Sequence, residues 1–421
     1  MDFLEGSLFC GIPIFVGETR KFKTSTLIVQ FTCDLGRSPT ENAVLPFLLR
    51  RGTRLHPSLG EMNRRLEGLY GSECEVGVSK SGERQILTFR LETPGEEYLP
   101  EEGVMEQALA TLAEVVLDPP LDGDASFRGD HLEGEKDNLR VRQEAVFNDK
   151  AAYARLRCVQ EMCRRERYAT ARYGRKEDLP GITGAGLYAR YREILRESPV
   201  NVFLVGNVPL ERALTLLEGA FDAGERRPRE IEPTEIRSAA GEWREVRETQ
   251  NLEQARLCLG YRTGMGRGDY RFWALAMANG ILGGFPHAKL FRRVREEHGL
   301  AYSVASSLDA GKGLLFIDAG INAADYERTR EICEKQLADV REGNFSDEEM
   351  EKVRAGMLRA LRSSLDRPRA LIAAFLEGLI NGRKESPGAW ERHVRAVARD
   401  DVVEAAAGIG PDTAYFLHGG E

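Results

Sequence analysis

The sequence predicts an α+β protein of two homologous domains, each a mostly antiparallel sheet with helices packed on one face. Three observations predict it. The chain has 421 residues, too many for one hydrophobic core. Its halves match at a fixed offset: Gly68-Leu69 with Gly299-Leu300, Gly82 with Gly313 and Ile86 with Ile317, 231 positions apart each time. Strand-like and helix-like patterns also follow one another in the same order in both halves. The expected first domain is 1–220 and the second 248–421. The stretch 221–247 between them is polar and rich in charge, carries Pro228 and Pro233, and reads as a linker.

Each half opens on β-rich sequence, Thr26-Leu27-Ile28-Val29-Gln30-Phe31 in one and Ala255-Arg256-Leu257-Cys258-Leu259-Gly260 in the other. A helix follows, then a short helix ending at the Gly-Leu pair. Two strands around a turn come next, ending in Gln85–Leu91 and in Leu314–Ala319. A longer helix follows these. In the first half Val104, Met105, Ala108, Leu109, Leu112, Val115 and Val116 fall on one stripe of a 3.6-residue period, which marks a core-packing face and carries no functional signal. In the second, Ile332, Leu337 and Val340 do the same. Ser346 three residues before Glu349 reads as a capping box opening a further helix. Both halves close on one apolar signature, Phe203-Leu204-Val205-Gly206 and Phe416-Leu417-His418-Gly419.

Composition excludes several functions. The chain is 42% hydrophobic and 30% charged, with net charge −8 and both signs interspersed. No basic face points to nucleic acid, and no apolar run is long enough to span a bilayer. Met1-Asp2-Phe3-Leu4-Glu5 lacks the basic and apolar regions of a secretory signal. The seven cysteines are scattered with no Cys-x-x-Cys, as expected of free thiols in a reducing cytoplasm.

The motifs show chemistry that is missing. The stretch Ala43-Val44-Leu45-Pro46-Phe47-Leu48-Leu49-Arg50-Arg51-Gly52-Thr53 resembles the zinc-site helix of the insulinase-like (pitrilysin) metallopeptidases, which carries His-x-x-Glu-His shortly before a Gly-Thr pair. On that resemblance the two ligand positions hold Ala43 and Phe47, and the general-base position holds Pro46. None can bind zinc or take a proton from water. The family's third ligand, a Glu on a later helix, falls near Val141 or Arg142, with Glu144 close by. Among the six histidines, the nearest approach to the motif is Glu297-His298, where Val294 stands in place of the first ligand. Neither a metal nor another cofactor is expected.

The second half carries the more specific string, Asn279-Gly280-Ile281-Leu282-Gly283-Gly284 followed by Leu290-Phe291-Arg292-Arg293-Val294-Arg295-Glu296-Glu297-His298-Gly299-Leu300-Ala301-Tyr302-Ser303. It is similar to the short bacterial and mitochondrial-processing-peptidase branch of the family. There an Arg and a Tyr seven residues apart reach the zinc site and hold the substrate carbonyl. Arg295 and Tyr302 match by type and spacing. A guanidinium and a phenol are donors suited to growing negative charge on a peptide oxygen. Read from local pattern alone, Arg295 is a surface ion-pair arginine and Tyr302 a core tyrosine with a satisfied hydroxyl. For Gly280, Gly283 and Gly284 the resemblance implies backbone that a peptide approaches closely. The alternative is a helix C-terminus.

The resemblance implies a non-catalytic subunit of a two-chain peptidase. It would give chamber wall and the Arg295/Tyr302 donors to a zinc-bearing homologous subunit that cleaves peptides. The alternatives are an inert scaffold with the peptidase fold, or a homodimer that captures peptides without cutting them.

Overall fold

The structure, a computed structural model, describes residues 2–222, 224–238 and 243–420. Its strands are β1 (Leu4–Ser7), β2 (Pro13–Glu18), β3 (Thr24–Asp34), β4 (Glu73–Ser81), β5 (Arg84–Pro94), β6 (Val200–Gly206), β7 (Arg244–Thr249), β8 (Ala255–Arg262), β9 (Ala301–Asp309), β10 (Leu314–Ile321) and β11 (Gly410–His418). The first seven helices are α1 (Pro39–Leu49), α2 (Leu59–Glu67), α3 (Val104–Leu117), α4 (Gly129–Asn148), α5 (Lys150–Met162), α6 (Gly184–Glu197) and α7 (Leu210–Ala220). The remainder are α8 (Phe272–Asn279), α9 (Tyr326–Arg341), α10 (Asp347–Ser364), α11 (Pro368–Ile380), α12 (Pro387–Ala396) and α13 (Arg399–Ala407).

The expected fold class holds. One sheet runs β1-β2-β6-β3-β5-β4 and the other β7-β11-β8-β10-β9. Apart from the extra edge strand β1, the two orders are the same topology. Each sheet has one parallel pair, β2 with β6 and β7 with β11, and is otherwise antiparallel. The hairpins β4–β5 and β9–β10 turn at Gly82 and Gly313, with φ of 52° and 68°. Only glycine enters that left-handed region without a Cβ penalty, which accounts for the matched glycines of the repeat. The stripe from Val104 to Val116 is the buried face of α3, all seven residues inside the core. The capping box at α10 is closed both ways: Glu349 N donates to Ser346 Oγ at 3.1 Å and Ser346 N to Glu349 Oε2 at 2.7 Å.

The chain divides into two compact units. The first takes residues up to Glu144 together with Thr170–Glu232. The second takes Ala145–Ala169 and everything from Pro233 onward. This departs from the boundaries read in the sequence, which leave 145–169 in the first domain and a linker over 221–247. The departure has a physical cause. Helix α5 lays Ala154, Cys158 and Met162 on a face of the second sheet formed by Cys258, Leu314, Phe316 and Tyr415. Gly260 makes room for it, since a Cβ there would lie 2.2 Å from Met162 Sδ. Just beyond α5, buried Glu166 pairs with Arg262 and with Lys312, each at 2.7 Å. The ends of the expected linker also belong to the units, residues to Glu232 with the first and β7 with the second.

Candidate functional site

In the first unit, α1 presents the degenerate metal motif. Ala43, Val44, Leu45, Leu48 and Leu49 are buried in the core, and Pro46 is buried with them. Proline inside a helix lacks the N–H that would bond back one turn. The Gly52-Thr53 pair that fixed the register closes a tight turn. Thr53 N donates to His56 O at 2.9 Å, and His56 N to Thr53 Oγ1 at 3.0 Å. A Cβ on Gly52 would meet the Pro57 carbonyl carbon at 2.7 Å.

The structure also settles which residue faces the lost site from α4. Val141 is 63% exposed and Glu144 is exposed. Arg142 instead lays its guanidinium over the Phe47 ring, 4.0 Å from the centroid. Tyr173 flanks the same ring at 6.5 Å between centroids. Arg142 Nη1 lies 3.8 Å from Glu135 Oε2, and the other oxygen of Glu135 accepts from Arg51 Nη1 at 3.1 Å and Asn138 Nδ2 at 3.0 Å. Glu135 was not singled out in the sequence. It sits seven positions before Arg142, two helical turns along one face, and that spacing is the signal that could have found it.

These residues do not fit a zinc ion. Zinc needs nitrogen, sulfur or carboxylate donors in a tetrahedral set. Here a methyl group, a pyrrolidine ring and a phenyl ring stand at the motif positions, with a guanidinium against the phenyl. The position is filled by a cation–π contact and an ion-pair network of the chain's own side chains.

In the second unit the Arg/Tyr string lies on different elements. Arg295 is on a wide π-type turn, Phe291–Glu297, and Tyr302 on β9. Neither structural alternative describes them. Tyr302 is 65% exposed, so it is no core tyrosine. Among the described residues its hydroxyl makes no hydrogen bond, and Arg295 makes no ion pair. The guanidinium of Arg295 rests 4.9 Å from the Phe291 ring centroid and is otherwise exposed.

The glycine-rich stretch continues α8 as a second π-type turn, Gly280–Gly284. Such turns are rare and recur at functional sites. Its glycines differ in role. A Cβ on Gly280 would lie 2.4 Å from Val353 Cγ1, and one on Gly283 would lie 2.7 Å from both Leu290 Cδ1 and Ser306 N. Both are buried and serve close packing on α10 and β9. Gly284 alone is exposed. Beside the turn lies a cavity of about 650 Å³ lined by Ile281, Phe285, His287, Arg292, Glu349 and Arg359, among others.

Comparison with known proteins agrees with this picture. A family profile described as "Peptidase M16 inactive domain" matches residues 181–357. Over 414 residues the chain is 33% identical to the "Probable inactive metalloprotease YmfF" of Bacillus subtilis, covering 98% of this chain and 96% of that protein. The crystal structure of a conserved protein from Enterococcus faecalis superposes with a TM-score of 0.89 at 28% identity, covering 100% of this chain and 99% of the other. That of a peptidase M16 inactive domain from Pseudomonas fluorescens gives 0.80 at 18% identity, covering 100% and 99%, and speaks to the fold alone. No helix among the described residues is long and apolar enough to cross a membrane.

Proposed function

The chain belongs to the peptidase M16 family as an inactive peptidase-like member, and we propose that it serves as the metal-free subunit of a two-chain peptidase. In this reading a homologous subunit carries the zinc. The present chain supplies chamber wall and places Arg295 and Tyr302 against the substrate carbonyl in the partner's site. One observation carries the reading: both donors are exposed, and among the described residues Tyr302 makes no hydrogen bond and Arg295 no ion pair, only a ring contact to Phe291. A donor kept uncommitted is available to a developing oxyanion, whereas one already paired must first break a bond. The exposed Gly284 and the cavity beside it support the holding of a flexible peptide. Seven free cysteines, six of them buried, support residence in a reducing cytoplasm.

The test is reconstitution. The chain is mixed with a zinc-bearing homologue from the same host, and cleavage of an internally quenched peptide is followed. Removing one donor by Arg295→Ala or Tyr302→Phe should lower the mixture's kcat by about 10²–10³. Unchanged rates in both variants would eliminate the trans-donor role and leave the scaffold reading.

A further inference from the structure

A second site in the same unit is independent of the peptidase reading. Strand β8, helix α9 and the start of β11 enclose a cavity of about 270 Å³ whose lining includes Tyr261, Arg341, Arg330, Trp243 and Glu334. The polar groups at its wall are donors except Glu334, and several of their N–H and O–H groups lack acceptors among the described residues. Tyr261 is 1% exposed, yet among the described residues its hydroxyl makes no hydrogen bond. The Nε of Arg341, the Nε of Arg330 and the indole nitrogen of Trp243 are buried and equally unsatisfied.

The charges are unbalanced as well. Arg330 has carboxylates, Glu327 at 3.1 Å and Glu334 at 3.8 Å. Arg341 has none among the described residues, and its terminal nitrogen donates only to the Ile409 carbonyl. Burial pulls its guanidinium below the ordinary value, and the Tyr261 phenol opposes the effect only in part. Burial also holds the Tyr261 phenol neutral, and so a donor. A half-buried guanidinium with no carboxylate, beside a buried hydroxyl with no partner among the described residues, is costly unless something neutralises it. Glu334, already facing Arg330, makes a bulky polyanion unwelcome.

We propose that this cavity binds a small oxyanion, a carboxylate or a phosphate, held by the Arg341 guanidinium and the Tyr261 hydroxyl. The two anion types share the same recognition, two or more oxygens accepting from fixed N–H and O–H donors.

Thermal unfolding of the full chain in sodium phosphate, in sodium acetate and in sodium chloride at matched ionic strength tests it, with calorimetric titration of whichever anion acts. At least one oxyanion should raise Tm in a saturating manner that chloride does not reproduce. A phosphate response alone or an acetate response alone names the anion. Arg341→Gln should weaken binding by tenfold or more. Tyr261→Phe removes only the orphaned oxygen, so it should weaken binding several-fold without lowering the anion-free Tm, and it serves if Arg341→Gln fails to fold. Equal shifts in all three salts, or undiminished binding by Tyr261→Phe, would overturn the proposal. So would a clear loss of anion-free stability in Tyr261→Phe, since it would show that the hydroxyl already has a partner.

Discussion

The two units repeat one topology but finish matching places differently. In the first, Leu35 follows β3, and its N–H donates to the carbonyl of Glu83, the residue after the Gly82 turn. In the second, Arg262 pairs with Leu314, the residue after the Gly313 turn. Leu35 is wholly buried hydrocarbon, whereas Arg262 is a charge with 3% of its side chain exposed. A leucine needs only neighbours, but a buried guanidinium needs counter-ions. Arg262 finds them in Asp412 at 2.8 Å and in Glu166, and Glu166 lies on the segment that leaves the first half to join the second unit. The same contrast separates the two candidate sites. At the lost metal position Glu135 and the two arginines engage one another within the unit. At the Arg/Tyr string the donors are left open.

The largest effect should come from Glu166. Its side chain is 1% exposed and faces Arg262 at 3% and Lys312 at 0%. Glu166→Ala takes a carboxylate from two buried cations at once, although Arg262 keeps Asp412 and Lys312 keeps the Glu235 carbonyl, and should cost about 3 kcal/mol of the second unit's stability in urea unfolding, the lower end of what breaking a buried pair costs. A loss below 1 kcal/mol would mean that the apolar face of α5, not the ion pair, fixes the crossing segment. The pH dependence has a definite sign. Burial works against the charged carboxyl, but hydrogen bonds from Arg262 and Lys312 outweigh it and hold Glu166 below its ordinary value of 4.5. The stabilisation is therefore whole above that value and is lost as pH falls through the depressed folded one. Glu166→Gln should remove this acid-dependent part while keeping the shape.

A smaller loss is expected at the vestigial site. Glu135, 7% exposed, receives hydrogen bonds from Arg51 and Asn138 and faces Arg142. Both arginines are about one-third exposed, so water compensates part of what the carboxylate gives. Glu135→Ala should cost about 2 kcal/mol, the scale of a hydrogen bond to a charged group, read from the denaturant midpoint of the first unit. A change within 0.5 kcal/mol would show the network to be incidental, and the contrast with the open donors would lose its meaning.

Much of this was legible in the sequence, because repeats and periodicity act locally. The Gly82 and Gly313 turns, the buried stripe of α3 and the capping box at Ser346 depend on residues a few positions apart. The absence of metal donors at Ala43, Pro46 and Phe47 is a matter of composition. The destination of 145–169 was not legible. An amphipathic helix shows which of its faces is apolar but not which sheet that face meets, and the partner Arg262 lies 96 positions from Glu166. The choice between Val141 and Arg142 needed the phase of α4 against α1. The unpaired donors around Tyr261 could not be foreseen, since a missing partner is visible only once the neighbours are in place.

The smallest effect is the most discriminating. Arg295 and Tyr302 touch little within their own unit: one ring contact to Phe291 for Arg295, and 65% exposure for Tyr302. Arg295→Ala and Tyr302→Phe should each leave the unfolding midpoint of the isolated chain within about 0.5 kcal/mol of the parent, as surface substitutions do. If either costs more than 1 kcal/mol, the side chain is part of the fold, and a lower rate in the reconstituted mixture would then report damage to the subunit. A flat stability beside a large kcat loss can arise only if the residue acts outside its own unit. That pairing of results is the signature of a group held ready for another molecule, and the Glu135 network, stable at the cost of having nothing left to offer, is its opposite.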